Sequence, residues 1–223
     1  MLLQQTANWL LNSCKEGRTV SPFGSLNFLK DAQVKSSLDF DDYFNPKDIL
    51  RLFQALTVRL IGATQSKIKA CLLKGLDEFT ARNESQFFAA RTLSLVFIQM
   101  TMLDRFIIYC EEFEGPEKAV MCQLASIYGL WSLEKHLGHL FQFQILANKH
   151  QVDKIHDSLL ELCKGLTANA VALVDVLAPP DFILNSVLGN SDGDVYKHLQ
   201  QSFYETDNSF GRAKYRVLEN SKL

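Results

Sequence analysis

The chain holds five histidines and five cysteines, and among the histidines His136 and His139 stand closest, three residues apart. On a helix that spacing puts both rings on one face, which is the first requirement of a metal pair. A zinc site takes three or four ligands. Glu134 falls on another face, and no Cys-x-x-Cys or Glu-x-x-His pattern accompanies the pair, so the two histidines read as structural or surface residues and no metal is expected. His150, His156 and His198 are isolated and take no role.

The loop Gly189-Asn190-Ser191-Asp192-Gly193-Asp194 has some of the wording of a calcium loop. With Gly193 at the sixth position, however, Leu188 takes the first and Leu199 the twelfth, where acidic ligands are needed. It is no phosphate cradle either, because Asp194 follows the second glycine where Lys-Ser or Lys-Thr belongs. The loop reads as turn chemistry opening a helix at Asp194 or Val195.

Nucleophiles and carboxylates fare no better. No serine or cysteine lies near a histidine in a nucleophile motif, and Glu111, Glu112 and Glu114 read as a solvated helix end. Asp175 sits in the apolar run ALVDVL, so it needs a pairing partner or a place facing solvent. The residues alone assign no catalytic role to any position.

The bulk composition sets the frame for these residues. At 223 residues, 47% hydrophobic and 22% charged, the chain has the make-up of a globular protein able to bury one good core. A net charge of -2 gives no pull toward nucleic acid, and no basic run stands out. Cys14, Cys71, Cys110, Cys122 and Cys163 are odd in number and widely spaced, which suits a reducing compartment. The longest stretch without a charge, Ala119 to Leu133, has fifteen residues, against the roughly 20 of a spanning helix. No membrane span and no secretory signal are read.

Helical periodicity organises the chain. Leu2 to Lys15 is a first helix with Leu3, Trp9 and Leu10 inward, ended by Gly17. Residues 18–44 form a long ordered excursion. Asn45-Pro46 opens a helix whose face runs through Ile49, Leu52, Phe53, Leu56 and Leu60, with Gly62 as a possible interruption before Ile68, Leu72 and Leu76. Asn83 with Gln86 reads as a cap for the longest pattern, Glu84 to about Glu112, whose segment Leu93 to Ile108 is apolar on nearly every side and is the expected central helix. Gly115-Pro116 separates it from a helix carrying Val120, Leu124, Ile127 and Trp131. After a turn at Asn148 to Asp153, the stripe Val152, Ile155, Leu159, Leu162, Leu166 continues through Ala170, Leu173, Val174 and Leu177 to the stop at Pro179-Pro180. No run alternates as a strand does. The expected fold is all-α, a bundle of five or six long helices.

Three stretches carry a resemblance. ANAVALVDVLAPPDFILNSVLG followed by DGDVYKHL, together with LLQQTANWLL from Leu2 and ASIYGLWSLEKHLGHLF from Ala125, resembles the carboxy-terminal helical region of peroxisomal acyl-CoA oxidases. The APPDF wording is most similar to the branched-chain, pristanoyl-type member. The resemblance spans nearly all of residues 1–223, is weakest at Gly17 to Phe44 and Glu205 to Asn220, and covers only the last third of a family enzyme. Ser221-Lys222-Leu223 agrees with it, being the tripeptide read by the peroxisomal import receptor, so a peroxisomal location is expected.

What the resemblance implies is an FAD enzyme of fatty-acid β-oxidation that converts acyl-CoA and O2 to trans-2-enoyl-CoA and H2O2. In the family a glutamate in a Tyr-Glu-Gly-Asp-Asn-like segment takes the α proton, and the flavin takes the β hydride. That segment precedes the helix that Leu2 begins, so no catalytic or flavin-contacting residue carries over to a position here. The chain is expected to be inactive alone and not to hold FAD alone, whether it is a fragment, an incomplete gene model or a genuine short product. Acyl-CoA is the substrate of the complete enzyme. The expected partner is a second copy, as a homodimer, or a full-length oxidase subunit to which this chain is a non-catalytic helical module.

Overall fold

The computed structural model describes residues 2–18, 21, 24–29 and 43–205. Most of the expected excursion over 18–44, and the tripeptide Ser221-Lys222-Leu223, lie outside the described residues. Two compact units divide the chain, one within Met1–Thr167 and one within Ala168–Leu223.

The first unit contains α1 (Leu2–Lys15), α2 (Pro46–Leu73), α3 (Glu78–Glu84), α4 (Arg91–Cys110), α5 (Pro116–Glu134), α6 (Leu137–Gln142) and α7 (Lys149–Gly165). Helix, and no strand, is found among the described residues. The starts follow local chemistry. Asn45 Oδ1 accepts from Lys47 N at 3.0 Å and Pro46 takes the first helical position, so α2 begins where the cap residue and proline place it. At α7, Asn148 Oδ1 accepts from Gln151 N at 3.1 Å while Gln151 Oε1 accepts from Ala147 N at 2.7 Å, satisfying two donors reciprocally. Asn148 is therefore a cap, and Lys149 to Asp153, read as a turn, is the first helical turn. Gly17, at φ +64°, ends α1 as expected.

Two readings between α2 and α4 change. Gly62 does not interrupt α2, which runs unbroken for 28 residues. Gly62 is exposed, and a glycine inside an otherwise well-packed helix costs only about 1 kcal/mol. The pattern from Glu84 to Glu112 is also not one helix capped by Asn83. Asp77 is the cap, accepting from Thr80 N at 3.0 Å, and Asn83 lies inside α3. Gln86–Ala90 then forms a π turn, in which Ala90 N bonds Ser85 O at 3.1 Å, before α4 begins.

Helices α1, α2 and α5 pack around α4 and bury Leu93, Val96, Phe97, Met100, Leu103 and Ile107. Helix α4 is central as expected, but it is not enclosed on every side: Ile98, Met102, Ile108 and Tyr109 remain exposed. Phe88–Cys110 is long and apolar enough to cross a membrane by length and composition. Packing against three helices accounts for that apolarity. Ser126 Oγ donates to Phe44 O at 2.7 Å, tying α5 to the residue before the cap of α2. Thr57 and Thr64, buried in α2, are satisfied by Phe53 O and Leu60 O, each at 2.7 Å.

The second unit holds α8 (Ala170–Leu177), α9 (Asp181–Leu184) and α10 (Val195–Glu205). The apolar stripe of α7 does not run straight into α8, because a 3-10 turn at Thr167–Asn169 breaks it. Ala178, ahead of Pro179, is extended at ψ 138°, and this ends α8 as the double proline requires. None of the residues of α8 is buried.

Candidate functional site

Helix α1 lies along the start of α4. Ser94 Oγ sits between Leu3 O and Ala90 O, and Gln86 Nε2 donates to Gln4 Oε1 at 3.3 Å. Trp9 meets Phe97 with ring centroids 5.9 Å apart. Trp9, expected inward, therefore stands at the edge of the core, 39% exposed, while Ala7 and Leu10 take the buried places. Beside it opens a groove of about 880 Å³ whose walls include Trp9, Phe97, Ile98, Thr101, Met102 and Arg105. The walls are mainly apolar, and among the described residues no carboxylate, thiol or imidazole lines them. Such a surface can hold apolar matter. Arg105, the one cation among its described residues, is paired through Nη2 with Asp104 Oδ2, and its buried Nε has no hydrogen-bond partner among the described residues.

The residues singled out by type do not converge there. His136 is 7% exposed, with Nε2 2.7 Å from Gln99 Oε1, and His139 lies half-buried beside it, ring centroids 6.3 Å apart. Burial, then His139 and Lys135, holds the His136 pKa down to about 4. No group of three or more potential ligands occurs among the described residues. His136 is a core residue satisfied from a neighbouring helix, in keeping with the structural reading. Its partner was not visible in sequence because Gln99 is 37 positions away.

The acidic loop closes on its own side chains. Asp181 Oδ1 and Oδ2 accept from Ser191 N at 3.1 Å and Ser191 Oγ at 2.8 Å. Asp192 accepts from Asp194 N at 3.0 Å, and its Oδ2 is 2.7 Å from His198 Nε2. The His198 contact, followed by the Asp194 amide, holds the Asp192 carboxyl below the usual range. His198, given no role by sequence, thus fixes the start of α10. Asp175 faces solvent, one of the two places its apolar context allows.

Glu111 is more than a solvated helix end, since it joins three elements. Lys47 Nζ lies 2.7 Å from its Oε1 and Lys118 Nζ 3.1 Å from its Oε2, and these contacts, Lys47 first, lower its pKa. Glu112 and the exposed Glu114 fit the solvated reading.

Comparison with known proteins finds one family. The acyl-CoA oxidase family model matches residues 45–216. The chain is 31% identical over 227 residues to human peroxisomal acyl-coenzyme A oxidase 3, covering 96% of this chain and 32% of that protein. It is also 31% identical to acyl-coenzyme A oxidase acox-3 of Caenorhabditis elegans, covering 93% of this chain and 31% of that protein. The chain therefore spans about a third of the length of these curated relatives. Among solved structures, acyl-CoA oxidase 3 of Yarrowia lipolytica superposes with TM-score 0.82 at 22% identity, over 98% of this chain and 32% of that one. Acyl-CoA oxidase-2 of Caenorhabditis elegans, solved with FAD, ascaroside-CoA and ATP, superposes with TM-score 0.80 at 22% identity, over 96% of this chain and 32% of that one. At these identities the superpositions speak to the fold.

Proposed function

The chain belongs to the acyl-CoA oxidase family, and on that premise we propose that it is the carboxy-terminal helical part of a peroxisomal, FAD-dependent acyl-CoA oxidase of fatty-acid β-oxidation. The observation that carries the reading is the 31% identity over 96% of the chain to a peroxisomal oxidase. The complete enzyme takes hydrogens from Cα and Cβ of an acyl-CoA and passes them to O2, giving the trans-2-enoyl product and H2O2. The branched-chain preference suggested by the APPDF stretch belongs to the same proposal.

The groove beside Trp9 lacks the donor set of a flavin cradle among its described residues. An FAD pyrophosphate needs several amide or cationic donors, whereas the groove beside Trp9 offers one guanidinium already paired with Asp104. We therefore place the flavin, the acyl-CoA and the proton-abstracting carboxylate on the rest of the oxidase, with these helices as its scaffold and as a surface for a second copy. A second reading, a non-catalytic module that pairs with a full-length oxidase subunit, is favoured by the exposed Val171, Val174, Val176 and Leu177 of α8.

The test is direct. The purified chain should be colourless and release no hydrogen peroxide from straight or methyl-branched acyl-CoA. Joined in frame to upstream oxidase sequence carrying the glutamate, the same helices should turn yellow with FAD and turn over. A yellow chain that by itself makes peroxide at the rate of the joined enzyme would overturn the placement of the base and flavin.

A further inference from the structure

The chain has four methionines, and two of them, Met100 and Met102, lie two positions apart on α4. That spacing turns them to nearly opposite sides of the helix. Met100 is 2% exposed in the core, where Thr57 Oγ1 of α2 donates to its Sδ at 3.5 Å. Met102 is 55% exposed on the wall of the groove beside Trp9, and Tyr128 Oη of α5 donates to its Sδ at 3.4 Å. Met121 of α5 is half-buried against the core. Each α4 sulfur thus accepts one hydroxyl from a neighbouring helix, and of the two Met102 alone is open to solvent.

A thioether sulfur carries two lone pairs and accepts weakly through them. The Tyr128 hydroxyl occupies one at Met102, so an oxidant arriving from solvent meets the other. Burial pushes the Tyr128 hydroxyl up from its ordinary value, which keeps it a donor at neutral pH.

We propose that Met102 is a peroxide-oxidised site that turns the groove wall from apolar to polar, with Tyr128 selecting one sulfoxide epimer. The open lone pair of Met102 Sδ attacks one oxygen of hydrogen peroxide. The S–O bond forms, the O–O bond breaks, and the proton on the transferred oxygen passes to the departing hydroxide, which leaves as water. One thioether and one peroxide thus give one sulfoxide and one water, with sulfur oxidised and peroxide reduced. The product is polar and chiral at sulfur, and it stands in a wall shared with Trp9, Phe97 and Ile98. The source of the peroxide rests on the oxidase reading above, which releases it; the chemistry of the sulfur does not.

The experiment therefore adds hydrogen peroxide to the purified full chain and reads tryptic peptides by fragment mass, since peptide 92–105 carries both Met100 and Met102 and peptide 119–135 carries Met121. Met102 should oxidise about tenfold faster than Met100, because exposure governs access to the sulfur. Methionine sulfoxide reductases A and B take opposite epimers, so on the digested peptides one should restore most of Met102 and the other little. Tyr128→Phe should move that split toward equal shares. In Trp131→Phe, Trp9 is the sole tryptophan; its emission should shift to the red on oxidation, and adding Met102→Leu should abolish the shift. Oxidation of Met100 or Met121 ahead of Met102 would overturn the proposal. So would an even split of epimers in the unsubstituted chain, a split that Tyr128→Phe leaves unchanged, or a Trp9 shift that persists with Met102→Leu. Each outcome is read with added peroxide, whether or not the joined enzyme makes any, so the two proposals fail separately.

Discussion

A methyl group built on Gly129 of α5 would stand 2.8 Å from Ile49 Cγ2 of α2 and 3.1 Å from Leu103 Cδ2 of α4, both in fully buried side chains. Three helices meet at that point, and the missing side chain sets their distance. Ile49 is branched at Cβ and stiff, so it cannot swing aside as a long side chain would.

Gly129→Ala should therefore destabilise the chain by about 1–3 kcal/mol, the range for overpacking a core. Gly62→Ala is the matched control, because a Cβ there meets nothing within 4 Å. It should stabilise by about 0.5–1 kcal/mol through helix propensity and the unfolded chain's lost freedom. Urea midpoints of the two variants measured side by side decide the matter; equal shifts would contradict this account of the α2–α4–α5 contact.

The contrast also shows what a sequence can carry. Asn45-Pro46, Gly17 and Gly115-Pro116 were legible because cap and turn chemistry is local, and the α7 stripe was legible because burial repeats with the helix. Gly62 and Gly129 look alike in sequence and differ only in what lies opposite. The π turn at Gln86–Ala90 leaves apolar spacing nearly unchanged, so Glu84 to Glu112 read as one helix. Periodicity made α8 apolar but could not say whether anything covers it. The acyl-CoA oxidase membership was legible from three stretches; Gln99, Lys47 and Arg105 were not, since their partners come together only in the fold.

His136 gives a pH dependence with a definite sign. Its ordinary value of 6.5 falls to about 4 in the fold, so the unfolded chain takes the proton first. Its contribution is full above the unfolded value and is lost as pH falls from 6.5 toward 4. Between neutrality and pH ~5 the loss should be about 2 kcal/mol, and His136→Gln should flatten the urea midpoint over that window. The carboxyls of Asp77, Glu111 and Asp192 are all lowered, so they act below that window and do not blur it. An identical slope with and without the imidazole would sink this assignment.

The tripeptide Ser221-Lys222-Leu223 predicts an address that needs no folded partner, because the import receptor reads it as sequence. A fluorescent protein fused ahead of the chain should gather in peroxisomes, and deleting Leu223 should leave it in the cytosol. Puncta that persist after the deletion would show that another signal, or a carried-in partner, does the targeting.

The exposed apolar surfaces make the last expectation. Val174 is 62% exposed and Leu177 88% exposed on α8, and Met102 is 55% exposed at the groove. Contiguous apolar surface of this kind marks a place where another protein surface packs. Left open, it should drive the purified chain to self-associate as concentration rises and to bind an apolar dye. Val174→Lys with Leu177→Glu touches a helix that has no buried residue, so helicity should hold while association falls. Met102→Gln, together with Trp9→Gln, tests the groove in the same way. If only the α8 pair restores a monomer by sedimentation, α8 is the surface that seeks a partner; if only the groove pair does, the groove is. A chain that stays monomeric at high concentration and leaves the dye dark would mean that neither surface is an interface, and would remove the support α8 lends to pairing with an oxidase subunit.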